Sequence, residues 1–247
     1  MHRYIIKRLL LMIPVIIGVS FLVFFIMDLA PGDAVDILAP EGATAEDLEA
    51  IRHDLGLDQP VIVRYVKYMG GMLHGDMGVS YVSKTDVFDT YMEKLPATIK
   101  LSFASILVSI LLSVPLGIYS ATRQGTVQDN ISMIVAMIGL SMPNFWLGLL
   151  LIIVFSLNLG WFPSGGDQTL SSIVLPAITI GTGLMATLTR TTRSSMLDVL
   201  KQEYLRTARA KGIPEKIVIT SHALRNALIP IITIIGTQLA SVLGGSV

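Results

Sequence analysis

Five long stretches of this chain contain no charged side chain, and their length restricts the possible folds more than any other feature. The stretches are residues 9–27, 101–122, 130–166, 168–189 and 226–247. A helix needs roughly 20 residues to cross a hydrocarbon core about 30 Å thick. Each stretch reaches that length, whereas a soluble domain would carry charge on the exposed side of every helix. We therefore predict five membrane spans.

Composition and pattern predict that the spans are helical. Hydrophobic residues make up 52% of the chain and charged residues 15%. The stretches do not alternate between apolar and polar residues as membrane strands do, and a helix satisfies its own backbone in lipid. The third stretch is too long for one helix and ends in GWFPSGG, which indicates a turn. The predicted fold is all-α: a polytopic transmembrane helix bundle.

Proline and glycine recur in these spans. The prolines predict kinks, which membrane helices tolerate, and lie at Pro14, Pro115, Pro143, Pro176 and Pro230. Small residues let helices approach closely, and the candidate positions are Gly117, Gly139, Gly181 and Gly183.

The charges between the spans predict their orientation. Residues 31–98 carry twelve acids against five bases, whereas residues 190–225 carry eight bases against three acids. A basic N-terminus in the cytoplasm lets five alternating spans place both basic regions on that side. Trp161 and Phe162 then fall at the outer membrane interface. The sequence thus predicts a cytoplasmic N-terminus and an extracytoplasmic segment at residues 31–98.

The extracytoplasmic segment contains two candidate helices. Thr44 is a plausible N-cap with Asp47 three residues on, and Gly56 closes the first helix. QPVIVRYVKYMGGML is the second, amphipathic candidate. Two interpretations remain open: a small cap over the outer mouth, or a docking surface for a delivery partner. His53 and His74 lack metal-ligand spacing.

The sequence lacks several kinds of chemistry. It has no Cys, no GxxxxGK[ST] phosphate loop, no GxSxG and no HExxH. No ionisable residue lies in the middle of a span, where ion-driven carriers usually keep one. We therefore predict no catalytic, metal or cofactor site in this chain, and energy for uphill transport supplied by another subunit.

The basic region contains a more organised stretch. Its cations are Lys201, Arg206, Arg209, Lys211, Lys216 and Arg225. The pattern predicts a helix that starts at Ser194 or Ser195, with a stripe formed by Met196, Leu200, Tyr204, Ala208 and Gly212. Gly212 is the expected C′ residue, and Pro214 starts a second short helix through EKIVITSHALRNAL. Small side chains at Ala208, Ala210 and Gly212 predict close backbone contact with a protein partner. The alternative is an ordinary positive-inside loop.

YLRTARAKGIPEKIVITSHALRNALIP resembles the cytoplasmic coupling motif of ABC-transporter permeases, in the form of the dipeptide, oligopeptide and nickel importer family. Arg206 and Thr207 stand where the general motif has its Glu and first Ala, whereas Ala208 and Gly212 match its second Ala and its Gly. Further similar stretches are RYIIKRLLLMIPVIIGVSFLVF, LAPGD, LGLDQPVIVRYVKYMGGMLHGDMGVS, LPATIKLS, SMPNFWLGLLL and TRTTRSSMLDVL. Ala34 departs from the Pro that often follows PGD. The resemblance covers nearly the whole chain.

The resemblance implies a type I ABC importer permease fold in a bacterial inner membrane. It implies a second, homologous permease subunit, two ATPase subunits that bind ATP and Mg, and an extracytoplasmic solute-binding protein. The coupling helix, about 200–212, would sit in an ATPase cleft. The residues expected to couple the subunits are Glu203, Tyr204, Arg206, Thr207, Ala208, Arg209, Ala210, Lys211, Gly212 and Pro214.

Several alternatives stay open. The expected solute is a di- or oligopeptide, with nickel or another small solute as the runner-up. A channel subunit or a membrane scaffold is a less favoured function. The expected division is a first span at 1–30, an extracytoplasmic segment at 31–98 and a permease core at 99–247 with its coupling loop at 190–225. The family usually has a sixth span, which we expect beyond residue 247.

Overall fold

The computed structural model describes residues 2–30, 32, 35, 38–40, 42–80, 83–166 and 169–245. Within these ranges the regular structure is helical, apart from one isolated antiparallel bridge between Val79 and Asp86. The chain divides into two compact units, residues 1–93 and 94–247. The all-α prediction is confirmed.

The helices are numbered in chain order. They are α1 (His2–Asp28), α2 (Ala45–Asp54), α3 (Val61–Leu73), α4 (Val87–Thr122), α5 (Val127–Ser141), α6 (Asn144–Leu151), α7 (Val174–Leu200), α8 (Glu203–Ala210), α9 (Glu215–Ile217) and α10 (Leu224–Leu243). A π-helical segment, Ile152–Asn158, continues α6, and another, Val218–Ala223, joins α9 to α10. A 3₁₀ turn, Leu170–Ile173, precedes α7.

Four spans, or five if one bent helix pair counts as a span, can be counted among the described helices. Four helical runs are long and apolar enough to cross a membrane: 3–28, 87–122, 170–200 and 215–243. The fifth is a pair of helices, Val127–Ser141 and Asn144–Asn158, bent by 95°. Met142 at the bend is extended because Pro143 follows it, and Pro143 then precedes the first residue of α6. Four of the five predicted spans are confirmed, and the third predicted stretch forms a bent helix pair that is one broken span or a re-entrant loop.

In the first unit, the ends of α2 follow the sequence prediction. Thr44 and Asp47 form a reciprocal capping box, and hydrogen bonds from Thr44 lower the pKa of the Asp47 carboxyl. Gly56 has φ +66°, and its N–H donates to the His53 carbonyl at 2.9 Å. Leu57 N–H donates to the Arg52 carbonyl at the same distance, which completes a Schellman turn.

In the second unit, α7 is the helix against which the others pack. Four glycines approach their neighbours so closely that an added Cβ would lie 2.6–3.0 Å from another atom. These contacts join Gly117 to Thr192, Gly139 to Thr182, Gly181 to Ser105 and Val108, and Gly183 to Asn144. The predicted close approach is therefore confirmed at all four positions, each of which lies between α7 and α4, α5 or α6.

Polar side chains add cross-links to the backbone of α7. Ser113 of α4 donates to the Met185 carbonyl at 3.2 Å, and Gln238 of α10 donates to the adjacent Leu184 carbonyl at 3.0 Å. Such interhelical hydrogen bonds stabilise helix pairs in lipid by about 0.6 kcal/mol each. Together with the glycine contacts they fix α4, α5, α6 and α10 around one helix.

Candidate coupling site

The helix expected to begin at Ser194 or Ser195 has a different start. Both serines lie inside α7, which runs without interruption from Val174 to Leu200. No Gly or Pro occurs between Gly183 and Gly212, so nothing in the sequence stops the span before the basic region. The helix ends at Lys201, and Gln202 has extended backbone that precedes α8. The predicted N-cap is wrong, and the continuous stripe from Met196 to Gly212 is divided by this break.

The short helix α8 has two different faces. Leu205 and Ala208 are buried against side chains of α7, the π segment and α10, including Met196, Val218 and Ala227. Every other residue of α8 is exposed. Helical periodicity places Ala210 opposite the buried pair. The inner face of α8 is thus held by the chain itself, and the outer face is free.

Of the ten predicted coupling residues, only Ala208 is buried. Its small side chain fits a cluster of the chain's own helices, so packing within the chain already accounts for its size. Burial of an alanine between helices cannot be distinguished from partner contact by sequence pattern alone. The exposed members of the set are Glu203, Tyr204, Arg206, Thr207, Arg209, Ala210, Lys211, Gly212 and Pro214.

The end of α8 has the predicted geometry. Gly212 has φ +77°; its N–H donates to the Arg209 carbonyl at 2.9 Å, and Ile213 N–H donates to the Ala208 carbonyl at 3.3 Å. These two bonds form a Schellman turn with Gly212 at C′, as expected. No atom lies within 4 Å of the position that a Gly212 Cβ would take, apart from its chain neighbours. Gly212 is therefore required by its backbone conformation, and the space beside it is open.

An ion pair stabilises the corner, which is the turn of residues 211–214 between α8 and α9. Arg209 binds Glu215 through two hydrogen bonds of 3.0 and 2.8 Å, and this bonding raises the pKa of the Arg209 guanidinium. Pro214 is the N-cap of α9, one position before the predicted first turn. The predicted second short helix is continuous with the fifth span, because the π segment passes from α9 into α10 without a break. The corner is thus joined rigidly to a membrane helix.

Tyr204 links the outer part of α8 to the same span. Its hydroxyl donates to the His222 carbonyl at 3.3 Å and accepts a 2.7 Å hydrogen bond from the Asn226 side-chain amide. His222 lies in the π segment, where carbonyls lose their regular α-helical partners. Tyr204 is therefore a connecting residue as well as a partly exposed one.

A partly buried ion pair joins α5 to α7 and could not be inferred from the sequence. Arg193 of α7 donates to both carboxylate oxygens of Asp129, through Nε at 2.8 Å and Nη2 at 2.7 Å. The Ser120 hydroxyl of α4 and the Gly125 N–H also donate to Asp129. The Asp129 side chain is 4% exposed and that of Arg193 is 27% exposed. This bidentate network joins the ends of α4, α5 and α7.

Local sequence patterns account for Asp129 and Arg193 separately and do not pair them. Thr126 caps α5 by accepting a hydrogen bond from the Asp129 N–H, so Asp129 is an expected residue of a first helical turn. Arg193 is one of the eight bases that predict the orientation of the spans. Neither residue lies in the middle of a span, so their pairing gives no ion pathway through the membrane.

The fold and this site define a multi-pass membrane protein with a helical corner outside its bundle, and the comparisons identify the class. Residues 113–247 match the family described as binding-protein-dependent transport system inner membrane component, and residues 1–102 match its N-terminal companion family. The chain belongs to this family of ABC transporter permeases, as the coupling motif predicted. It is a multi-pass component of the inner membrane.

Individual relatives match over the whole chain. The oligopeptide transport system permease protein AppB of Bacillus subtilis (strain 168) is 45% identical, over 100% of this chain and 82% of the relative. The glutathione transport system permease protein GsiC of Escherichia coli (strain K12) is 40% identical, over 100% of this chain and 81% of the relative. These similarities extend across both units.

Proposed function

We propose that this chain is one permease subunit of an ATP-driven importer for di- or oligopeptides. One relative described above is named for oligopeptide transport and the other for transport of glutathione, which is itself a tripeptide. That shared chemistry favours a peptide over nickel as the solute. The solute would arrive on an extracytoplasmic binding protein and pass between this chain and a second, homologous permease subunit.

The outer face of α8 is proposed as the surface that contacts an ATPase subunit. The observation that carries this proposal is the division of α8 into a buried face and an exposed one. A helix held on one side and free on the other can transmit a displacement without unfolding. ATP and Mg would bind the partner subunits, and this chain would contribute contact without catalysis. The N-terminus and α8 would both be cytoplasmic.

The exposed charges on α8 are better suited to partner choice than to affinity. Arg206 pairs with Glu203 at 3.1 Å, but their side chains are 75% and 82% exposed. Exposed pairs of this kind contribute only about 0–1 kcal/mol. Contact area around Ala210 and Thr207 would therefore provide most of the binding, with Arg206 and Lys211 fixing the orientation of the partner.

The test is co-isolation followed by a coupled activity measurement. The chain should be purified with its ATPase subunits, and the complex should hydrolyse ATP faster when a peptide-loaded binding protein is added. A channel subunit or a scaffold would give no such stimulation. Stimulation by a nickel-loaded binding protein alone would keep the importer architecture and reject the peptide.

The docking surface is tested separately with Ala210→Trp, because Ala210 lies on the exposed face. The variant should insert and fold normally but lose the ATPase subunits on purification. Arg52→Trp in α2, on an exposed site in the other unit, is the control and should retain them. Full retention of the ATPase subunits by Ala210→Trp would contradict the assignment of this face.

A further inference from the structure

The helix α3 lies against the first span, well inside its apolar stretch. The Tyr65 hydroxyl donates to the Ile17 carbonyl at 3.1 Å and shares a 2.7 Å hydrogen bond with the Ser20 hydroxyl. The Tyr65 ring also makes edge contacts with Phe21 and Phe24, at centroid distances of 5.1 and 5.7 Å. All four partners of Tyr65 belong to the uncharged stretch of residues 9–27.

The rise of the helix gives the distance of each contact from the end of the first span. At about 1.5 Å per residue, Phe24 lies about 6 Å and Ile17 about 16 Å from Asp28 along α1. Asp28 is the first charged residue after the apolar stretch and forms an ion pair with Arg64 of α3. Tyr65 thus contacts the first span about 6–16 Å farther into the hydrocarbon core than the Asp28–Arg64 ion pair.

One flank of α3 is apolar and has no partner within the described residues. Ile62, Val66 and Leu73 are 65%, 61% and 82% exposed. Their spacing of four and then seven residues places them on one side of the helix. Lys67 lies about 100° around the helix from Val66, and its ammonium group donates to the Gln59 side chain at 2.8 Å. A cation therefore lies beside the apolar flank.

We propose that α3 is an interfacial helix embedded in the membrane leaflet at the Asp28 end of the first span. Its flank of Ile62, Val66 and Leu73 would lie among phospholipid acyl chains, and Lys67 would extend toward the headgroups. On the side of α1 that faces away from α3, Leu22 and Ile26 are 56% and 57% exposed. Lipid against this exposed side of the span would also reach the apolar flank of α3.

This placement differs from both interpretations of the segment at the sequence level, which put it in water as a cap or as a docking surface. Three observations together support burial in the leaflet: the depth at which Tyr65 contacts the span, the ion pair at the end of the span, and the exposed apolar flank of α3. Pattern alone showed only that the helix is amphipathic.

The experiment uses single cysteines, which is direct because the chain has no natural Cys. Val66→Cys lies on the apolar flank and Lys67→Cys about 100° around the helix from it, so these neighbours form a matched pair. Each full chain is labelled with a bimane fluorophore, purified with the subunits that co-isolate with it, and reconstituted in vesicles of phosphatidylcholine and phosphatidylglycerol. Quenching is measured with lipids that carry a nitroxide on the acyl chain and with iodide in the aqueous phase.

The two labels should give opposite orders of quenching. The nitroxide lipid should quench the label at Val66 more than the label at Lys67, and iodide should quench the label at Lys67 more. Stronger iodide quenching at Val66 would place α3 in water and overturn the proposal. A Val66 label quenched by neither reagent would show that a protein covers the flank, which also overturns it. Thermal unfolding of both labelled chains checks that they are folded.

Discussion

The Asn226 side-chain amide donates a 2.7 Å hydrogen bond to the Tyr204 hydroxyl, and both groups also bond to the His222 carbonyl. These three residues join the exposed helix α8 to the beginning of the fifth span. A force applied to α8 therefore has a hydrogen-bonded route into a membrane helix, in addition to the covalent one through Gly212.

Tyr204→Phe tests this route because it removes the hydroxyl and keeps the ring. A hydrogen bond of this kind contributes about 0.5–1.5 kcal/mol, so folding should persist. We expect the ATPase subunits to remain bound while less peptide is taken up for each ATP hydrolysed. The ratio of uptake to hydrolysis is measured in proteoliposomes, with Tyr68→Phe in α3 as the control. An unchanged ratio would show that the hydroxyl has no part in coupling.

Gly212→Leu tests the end of α8. A side chain in this left-handed conformation costs roughly 1–2 kcal/mol, and it would project into the open space where a partner is proposed. Gly160→Leu is the matched control: Gly160 has φ +64°, follows a helix end and also has open space beside it. Uptake should be abolished by the first change and retained after the second, at equal expression. Equal uptake by both variants would reject the coupling role and favour the alternative, an ordinary positive-inside loop.

Ala208→Trp should act on folding, in contrast to the proposal made from the sequence that it would act on partner contact. Ala208 is 7% exposed within a cluster of the chain's own side chains. Overpacking such a site typically costs about 1–3 kcal/mol. We expect a lower unfolding temperature in detergent, whereas Ala210→Trp should unfold at the parental temperature. A normal unfolding temperature for Ala208→Trp would refute the burial of this side chain.

Asp129→Asn should destabilise the second unit by about 3 kcal/mol, because it leaves the Arg193 charge without its partner. The double variant Asp129→Asn with Arg193→Gln should recover part of that loss, since no charge is then left unpaired. Chemical unfolding of the two single variants and the double variant gives the coupling energy. Additive effects of the two changes would mean that the pair has no net interaction.

The predicted orientation is tested with cysteines at Thr85 and Thr220, both of which are exposed. An impermeant thiol reagent added to sealed cells should label Thr85→Cys and leave Thr220→Cys unlabelled, because the acidic and basic regions are predicted on opposite sides. Permeabilised cells provide the control in which both positions react. Labelling of Thr220→Cys in sealed cells would reverse the assignment.

The sequence predicts most of the local structure, because the responsible signals lie close together in the chain. Uncharged stretches give the spans, Thr44 and Asp47 give a capping box, and Gly212 gives a helix end. Each of these depends on residues within a few positions of one another. Their agreement with the structure reflects backbone sterics and the cost of burying charge.

Contacts between distant segments could not be predicted. Asp129 and Arg193 are 64 positions apart, and nothing in their local sequence selects one partner from the other charges. The same limit applies to Tyr65 and Ile17 in the first unit. The break at Lys201 and Gln202 contains no Gly or Pro that would predict it, and just after it Leu205 and Ala208 pack into the buried cluster.

The glycine contacts around α7 have a mechanical consequence. Where Gly117 and Gly139 meet α7, and where Gly181 of α7 meets α4, there is no room for even one methyl group. Sliding one helix along α7 by a full turn would bring a side chain to each of these points and cause a clash. These contacts therefore prevent α4, α5 and α7 from sliding along one another. Any motion received at α8 would therefore have to tilt these helices together as a block.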